Sequence, residues 1–474
     1  MVRFIFGAIS IAASFALTAS LCAFPARGDS SPWELATPSG KITENYDQYV
    51  QRIFGLQDYQ QRLDAEVEET LTNSEFTLRA TPWVWLRAPD DLGGNTSAAR
   101  PYFELKEGWV ERASPSWDLR AGNQIFAWGA ADQINPTDVW NPRDLYDLFQ
   151  STKLPIAAMD LKVHPTGLEN VNLDVIFTPF FRPSQLPVTI PDSGTSPVSL
   201  SDSRWLLPFP STVLPAGGVA APLEYQIASA SYPATWQLGA RLMFLRLGGW
   251  DFSVSGFDGV ETVPRFAFAR QGSTSNPALP ITITLNPSFH RQQMYGFDGA
   301  GSISLGSMDI GTRFEIAYYH RDNSLALSAP PAFQGDLLRD DDLWGVAGID
   351  YTFQRKILGT ILYFNLQYVY YQTVGSVEQT PGATVIQGLP DVQPWDRDLV
   401  FYLEDRIGSK LKLGGNVVGS FSNGDGFLAP MIQYGWTDNF KTTLSGMFFI
   451  GNASGFFGQF ADDSRVTMNA TYAF

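Results

Sequence analysis

The chain ends, at residues 464–474, on SRVTMNATYAF. From Val466 the stretch alternates without a break. Val466, Met468, Ala470, Tyr472 and Phe474 fall on one face, and Thr467, Asn469, Thr471 and Ala473 on the other. A strand repeats every two residues, so the pattern predicts an apolar face backed by a polar one. In a closed membrane barrel the last strand has this form, with apolar residues toward lipid and small polar ones toward the lumen. The competing reading is the final edge strand of a soluble β-sandwich.

Composition separates the two. Charged residues make up 17% of the 474 and aromatics 14%, against roughly 25% charged in an ordinary soluble protein. After residues 4–23 no run of 18 apolar residues occurs, so membrane helices are excluded. Few charges and many aromatics without long apolar runs suit strands that turn only alternate residues to lipid. The expected fold is therefore all-β: a closed antiparallel transmembrane β-barrel in the cell outer membrane, with long outer loops. The terminal Phe474, with Tyr472 two residues before it, resembles the signal read by the barrel assembly machinery, an expected partner along with outer-membrane lipid.

Residues 1–28 read as a secretory signal: Arg3, the apolar core IFGAISIAASFALTASLCAF, and the small-x-small site Ala26-Arg27-Gly28, with Ala23 as a second cleavage point. An uncleaved anchor is the rival. Cys22, the one cysteine, is preceded by Leu21 where a lipoprotein would carry a small residue. Cleavage leaves a mature chain without thiol or disulfide chemistry. It also removes Arg3 and Arg27 from the 32 basic residues, leaving 30 against 48 acidic ones, a net −18. No basic footprint for nucleic acid exists in such a chain.

Residues 29–74 are ambiguous. Tyr46, Val50, Ile53, Leu56, Tyr59, Leu63, Val67 and Leu71 recur at helical spacing, yet QRLDAEVEETL alternates through Leu63, Ala65 and Val67 as a strand would. From residue 75 to 474, sixteen strand-like stretches follow, or eighteen in all if residues 44–71 form a hairpin. Placing Phe474 at the periplasmic end makes the connections alternate. The segments at 88–101, 129–157, 182–235, 264–286, 322–341, 374–396 and 451–464 fall outside, together with one short NGD turn at 423–425; turns of two to five residues such as 114–116, 248–249 and 408–410 fall inside.

No Gly-x-Ser-x-Gly elbow and no phosphate loop is present, and His164, His290 and His320 are scattered without a metal-ligand spacing. No enzyme, metal or cofactor is expected. The inward polar faces are the candidate functional residues. Asp118, Arg120 and Gln124 share one strand and Asp309, Arg313, Glu315 and Arg321 another, joined by Asp298, Asp350, Asn365, Gln367, Glu404 and Arg406. Barrels of this size keep an aqueous interior in which mixed charge selects what passes; the plainer reading is that these groups only neutralise one another. The 129–157 insertion carries Asp132, Asn135-Pro136, Asp138, Asn141-Pro142 and Asp144. Asn and Asp before Pro initiate turns, so a compact loop is expected, one that constricts the channel if folded inward. Its three acids in thirteen residues also offer oxygen ligands for calcium, though without the spacing of a known calcium loop. The Pro-rich 182–235 segment, with Trp205-Leu206-Leu207-Pro208-Phe209, reads as a lid or partner surface.

WDLRAGNQIFAWGAADQINPTDVWNPRDL, followed by LDVIFTPFFRPSQLP, resembles a family of uncharacterised proteobacterial outer-membrane barrels similar in architecture to the alginate-export porins. The resemblance rests on Leu119, Arg120, Gly122, Gln124, Trp128, Gly129, Asn135, Pro136 and Asp138, about 65 residues in all. Asn123 stands where family members often carry a basic residue. The resemblance implies an outer-membrane location and a transport-type role, sometimes linked to an inner-membrane exporter, and names no substrate; passage of a small solute is the expected function.

Overall fold

A computed structural model of the chain describes residues 33–51, 57–88, 102–198, 212–213, 221–271, 281–321, 341–353, 361–374, 395–452 and 455–474. The signal-like residues 1–28 and the Trp205–Phe209 segment lie outside them. Eighteen antiparallel strands form a closed ring, numbered here β1–β18: Ser39–Tyr49, Tyr59–Thr72, Phe76–Ala88, Tyr102–Ser114, Trp117–Gln124, Ile156–Val163, Val171–Thr178, Gln237–Leu247, Trp250–Val260, Arg291–Leu305, Met308–Arg321, Asp341–Thr352, Ile361–Val374, Arg397–Ile407, Leu411–Ser420, Gly426–Gly435, Phe440–Ile450 and Arg465–Ala473. A two-residue strand, Glu34–Leu35, adds to the periplasmic end of β2 outside the ring.

The C-terminal strand does what its alternation predicts. β18 pairs with β17 on one side and with β1 on the other, from Lys41 opposite Ala473 to Tyr49 opposite Arg465. Its polar face turns inward, where Thr467 bonds Asp47 and Asn469 donates to Asn45 at 2.7 Å. Closure therefore uses β1, and Ser39–Tyr49 and Tyr59–Thr72 pair as antiparallel strands rather than forming a helix. The Leu63–Ala65–Val67 alternation is the one that folds, because β2 must pair its whole edge with β1 and β3.

The outer wall of the ring is apolar. Val254, Phe297, Ile316, Leu403, Val417, Ile432, Leu444 and Met468 are exposed, while their neighbours in sequence turn inward. The turns at 115–116, 248–249, 306–307 and 408–410 are short; every long connection lies at the opposite end. A closed ring leaves no unpaired strand edge, and an apolar exterior over a polar interior is stable only in lipid. The chain is thus an outer-membrane β-barrel.

Two boundaries differ from the sequence reading. β5 stops at Gln124, so Ile125 and Ala127 leave the strand and the insertion runs from 125 to 155. Asn141 draws the chain away: its Oδ1 accepts the Phe126 N–H at 2.7 Å, and its Nδ2 donates to Gln124 O and Leu154 O at 3.1 and 2.9 Å. The strand expected to follow the 264–286 segment, from Pro287 to Ser304, is also not one strand. Ile281–Ser288 ends a separate outer sheet and β10 begins at Arg291. That outer sheet joins two loops, with Ala221–Ala228 running parallel to Ile281–Ser288 and Thr195–Val198 and Arg265–Gln271 flanking them. Val198, Tyr225, Ile227, Ile281, Ile283 and Leu285 form its own small core.

Candidate functional site

The insertion from 125 to 155 folds into the barrel and is fixed to it at both sides. On β11, Glu315 is fully buried and serves as the hub. Its Oε1 accepts the backbone N–H and the hydroxyl of Thr137, both at 2.7 Å, and its Oε2 accepts the N–H groups of Ala130 and Ala131, both at 3.1 Å. The chain can wrap a carboxylate so closely because Gly129 has φ +101° and a Cβ there would lie 2.6 Å from both carboxylate oxygens. Nearby, Asp132 bonds Arg313 and accepts from Asn365 Nδ2 at 2.6 Å, the Gln133 N–H donates to Gln367 Oε1 at 3.2 Å, and the Tyr319 hydroxyl reaches Pro136 O. Room for Trp140 comes from Gly239 of β8, whose missing Cβ would lie 2.6 Å from the indole.

The second half of the insertion reaches a different wall. Asp144 pairs with Arg87 of β3, and Asp147 with Arg465 of β18 at 2.6 Å. Phe149 enters an aromatic cluster with Phe449, Phe456 and Phe460, its ring 4.6 Å from Phe449. In the ring of eighteen, β3 lies eight strands from β11 one way round and eight from β13 the other. The insertion therefore spans the interior from wall to wall. Its loop geometry follows from the Asn-Pro pairs: Asn135 O accepts the Asp138 N–H at 3.1 Å in a tight turn, and Asn141 is buried as described above.

The other residues singled out from the sequence face the same interior in scattered pairs. Asp118 meets His164 Nε2 at 3.0 Å near the periplasmic end. Arg120 pairs with Glu111 at 2.6 Å and lies 4.0 Å over the Trp109 ring. Gln124 is buried and donates to Ala158 O at 3.0 Å. Asp350 holds the second arm of Arg313 at 2.8 Å, and Asp298 holds Arg241 at 2.9 Å. Glu404 is shared by Arg406 and Lys412, each at 2.6 Å. Asp309 sits at the periplasmic rim, accepting from Ser304 at 2.6 Å. Arg321, near the outer end, pairs with Glu261 and with Asp342, the latter at 2.5 Å.

A calcium reading of the insertion fails on these contacts. Asp132 is taken by Arg313, Asp138 by Lys153 at 2.5 Å and Asp144 by Arg87, which pulls the three acids apart. Among the described residues, no group of three or more His, Cys, Asp and Glu is placed to hold a metal ion.

The sequence reading missed the wall formed by β1–β4. There Arg62 pairs with Asp64 at 2.7 Å, Glu66 with Lys41 and Lys106 at 2.9 and 2.7 Å, and Arg79 with Glu68 and Glu107 at 2.5 and 2.7 Å. Two of these cations lie against tryptophans: Arg62 is 4.9 Å from the Trp85 ring and Lys106 5.1 Å from Trp83. The alternation of QRLDAEVEE carried the signal, since Arg62, Asp64, Glu66 and Glu68 share one face. The undecided helix reading hid it.

No known protein family matches the chain, and no curated protein matches it in sequence. Solved structures resemble it at low identity. OccK5 (OpdH) of Pseudomonas aeruginosa is 10% identical, with 92% of this chain and 97% of that one covered and a TM-score of 0.46. OccAB1 of Acinetobacter baumannii is 8% identical, covering 92% and 96%, at 0.47. A mutant of the Rh. blastica porin is 10% identical, covering 93% and 100%, at 0.39. None of the three is named as an alginate-export porin.

Proposed function

We propose that the barrel is a channel for passage of a small hydrophilic solute, narrowed by the insertion from 125 to 155. One observation carries this reading. Two ion pairs on the inner wall, and a third that joins Arg313 to the insertion, stay open to water although the insertion fills part of the interior. Side-chain exposure is 19% and 18% for Arg62 and Asp64, 27% and 21% for Arg120 and Glu111, and 26% and 33% for Arg313 and Asp132. A packed plug would bury such groups, and burying charge without water is costly. Fixed charges of both signs at the narrowest section favour polar solutes and set ion preference. Arg120 and Arg313 line the path in this reading, whereas Gln124 and Glu315 are buried away from it, Glu315 holding the insertion in place.

The test is purified, folded protein in planar bilayers and in liposomes swollen against sugars, organic acids and apolar solutes. Discrete conductance steps and uptake of polar solutes are expected. A folded barrel showing neither would overturn the channel. The outer sheet, with a core of its own, favours a second reading: a barrel that binds a partner through its loops without transporting. Removing residues 182–235 separates the two, because a channel stays conductive while a loop-borne binding activity disappears.

A further inference from the structure

We infer that the solute carried by this channel is a small zwitterion, a molecule bearing both an ammonium and a carboxylate. The inference rests on the channel reading and names its solute class. It comes from the inner wall at β1–β5. There five cations, Lys41, Arg62, Arg79, Lys106 and Arg120, are bonded to five acids at 2.5–2.9 Å, so the set carries no net charge. The whole chain is acidic, with 48 acids against 32 bases, so this balance is local.

The charges form a rail along the channel. Arg62, Asp64, Glu66 and Glu68 follow one another on the inward face of β2, each step roughly 6.6 Å along the strand. Arg62 lies opposite Arg87, where Asp144 of the insertion meets this wall. Lys41 and Lys106 flank Glu66, Arg79 joins Glu68 to Glu107, and Arg120 with Glu111 continues the row toward the periplasmic turns. The rail therefore starts at the narrowed section and descends from it.

Its cations are held in place. Arg62, Lys106 and Arg120 rest on the rings of Trp85, Trp83 and Trp109 at 4.9, 5.1 and 4.0 Å. Side chains of the rail keep 17–48% exposure, whereas the three indoles are buried. The rail thus turns charge to the lumen and offers no flat aromatic face on which a sugar ring could stack.

Bonds within the rail leave room for more. A carboxylate has about four acceptor sites and a guanidinium about five donors, more than the contacts inside each pair use. A solute of one sign meets an attractive group and, beside it, a repulsive one, and the two Coulomb energies largely cancel. A zwitterion whose ends lie about one step apart meets opposite charge at both ends, at each step of the rail. Weak binding repeated along a path is what passage requires.

The test is swelling of proteoliposomes in γ-aminobutyrate, whose ammonium and carboxylate lie about one step apart, against erythritol, a neutral solute of similar size. The parent is expected to admit γ-aminobutyrate several-fold faster. Arg62→Gln with Asp64→Asn removes both charges of one pair and leaves neither alone; the ratio of the two rates is expected to fall toward one. Arg120→Gln with Glu111→Gln does the same further down the rail, and it decides the matter if heat-modifiable gel mobility shows that the first variant does not fold. Equal or faster entry of erythritol into the parent, or an unchanged ratio in a folded variant, would overturn the inference and leave the channel standing. Entry of neither solute overturns the channel and the inference together.

Discussion

Thr137 gives both its backbone N–H and its hydroxyl to one carboxylate oxygen of Glu315, each at 2.7 Å, across 178 residues of sequence. With Ala130 and Ala131 on the second oxygen, one buried carboxylate fixes the inner end of the insertion to the barrel wall. Glu315→Ala removes all four acceptances. Hydrogen bonds to a charged group contribute about 1.5–3 kcal/mol each, so the anchored state loses most of its preference over a released one. Larger and noisier single-channel conductance is expected in planar bilayers; conductance identical to the parent would show that the anchor does not control the opening.

Gly129→Ala tests the same anchor from the other partner. The backbone at φ +101° disfavours any side chain, and the new Cβ meets both carboxylate oxygens. A cost of about 1–3 kcal/mol is expected for the strain alone. Limited proteolysis should cut the insertion in this variant and spare it in the parent, with the barrel band intact on a gel.

Arg313 and Arg120 set the ionic character in different parts of the interior. Arg313→Ala leaves Asp132 and Asp350 without their shared cation, and Arg120→Ala does the same to Glu111. Both variants should shift the zero-current potential in a salt gradient toward cation preference, Arg313→Ala more, because two acids lose their partner. A shift toward anions in either variant contradicts the assignment.

Phe149 ties the far end of the insertion to the aromatic cluster around Phe449, Phe456 and Phe460. Phe149→Ala should cost roughly 3 kcal/mol through lost packing. The midpoint of the heat-induced gel-mobility change is expected to fall, and a midpoint equal to the parent's would place the ring outside the folding unit.

His164 lies in the periplasmic turn beyond β6, with Nδ1 held by Asn172 and Nε2 by Asp118, each at 3.0 Å. The bonds to Asn172 and to Asp118 raise its pKa above the ordinary value of about 6.5. A raised folded value means that the stabilisation is fully present below the unfolded pKa and is lost as pH rises through the folded one. An NMR titration should place the His164 midpoint above the ordinary value and move it down in Asp118→Asn. A parent midpoint at or below the ordinary value would contradict this.

The fold was legible because a barrel is encoded locally. Each strand declares its faces through a period of two, as Val466 to Phe474 do, and each turn end declares its side of the membrane through length. The facing of Asp118, Arg120, Arg313 and Glu315 followed from the same period. Residues 39–72 were not decided by pattern, since Leu63, Val67 and Leu71 satisfy helical and strand spacing together. Only the demand of β3 and β18 for paired edges settles the hairpin there.

What the sequence determined by itself was the exterior: an apolar period of two and the terminal strand. What only the tertiary structure decided was the interior. Glu315 finds Thr137, Arg465 finds Asp147 and Arg87 finds Asp144 across distances no local pattern encodes. The reason is physical: lipid selects each outward residue one at a time, whereas an inward charge is stabilised by whichever distant segment closure of the ring brings against it.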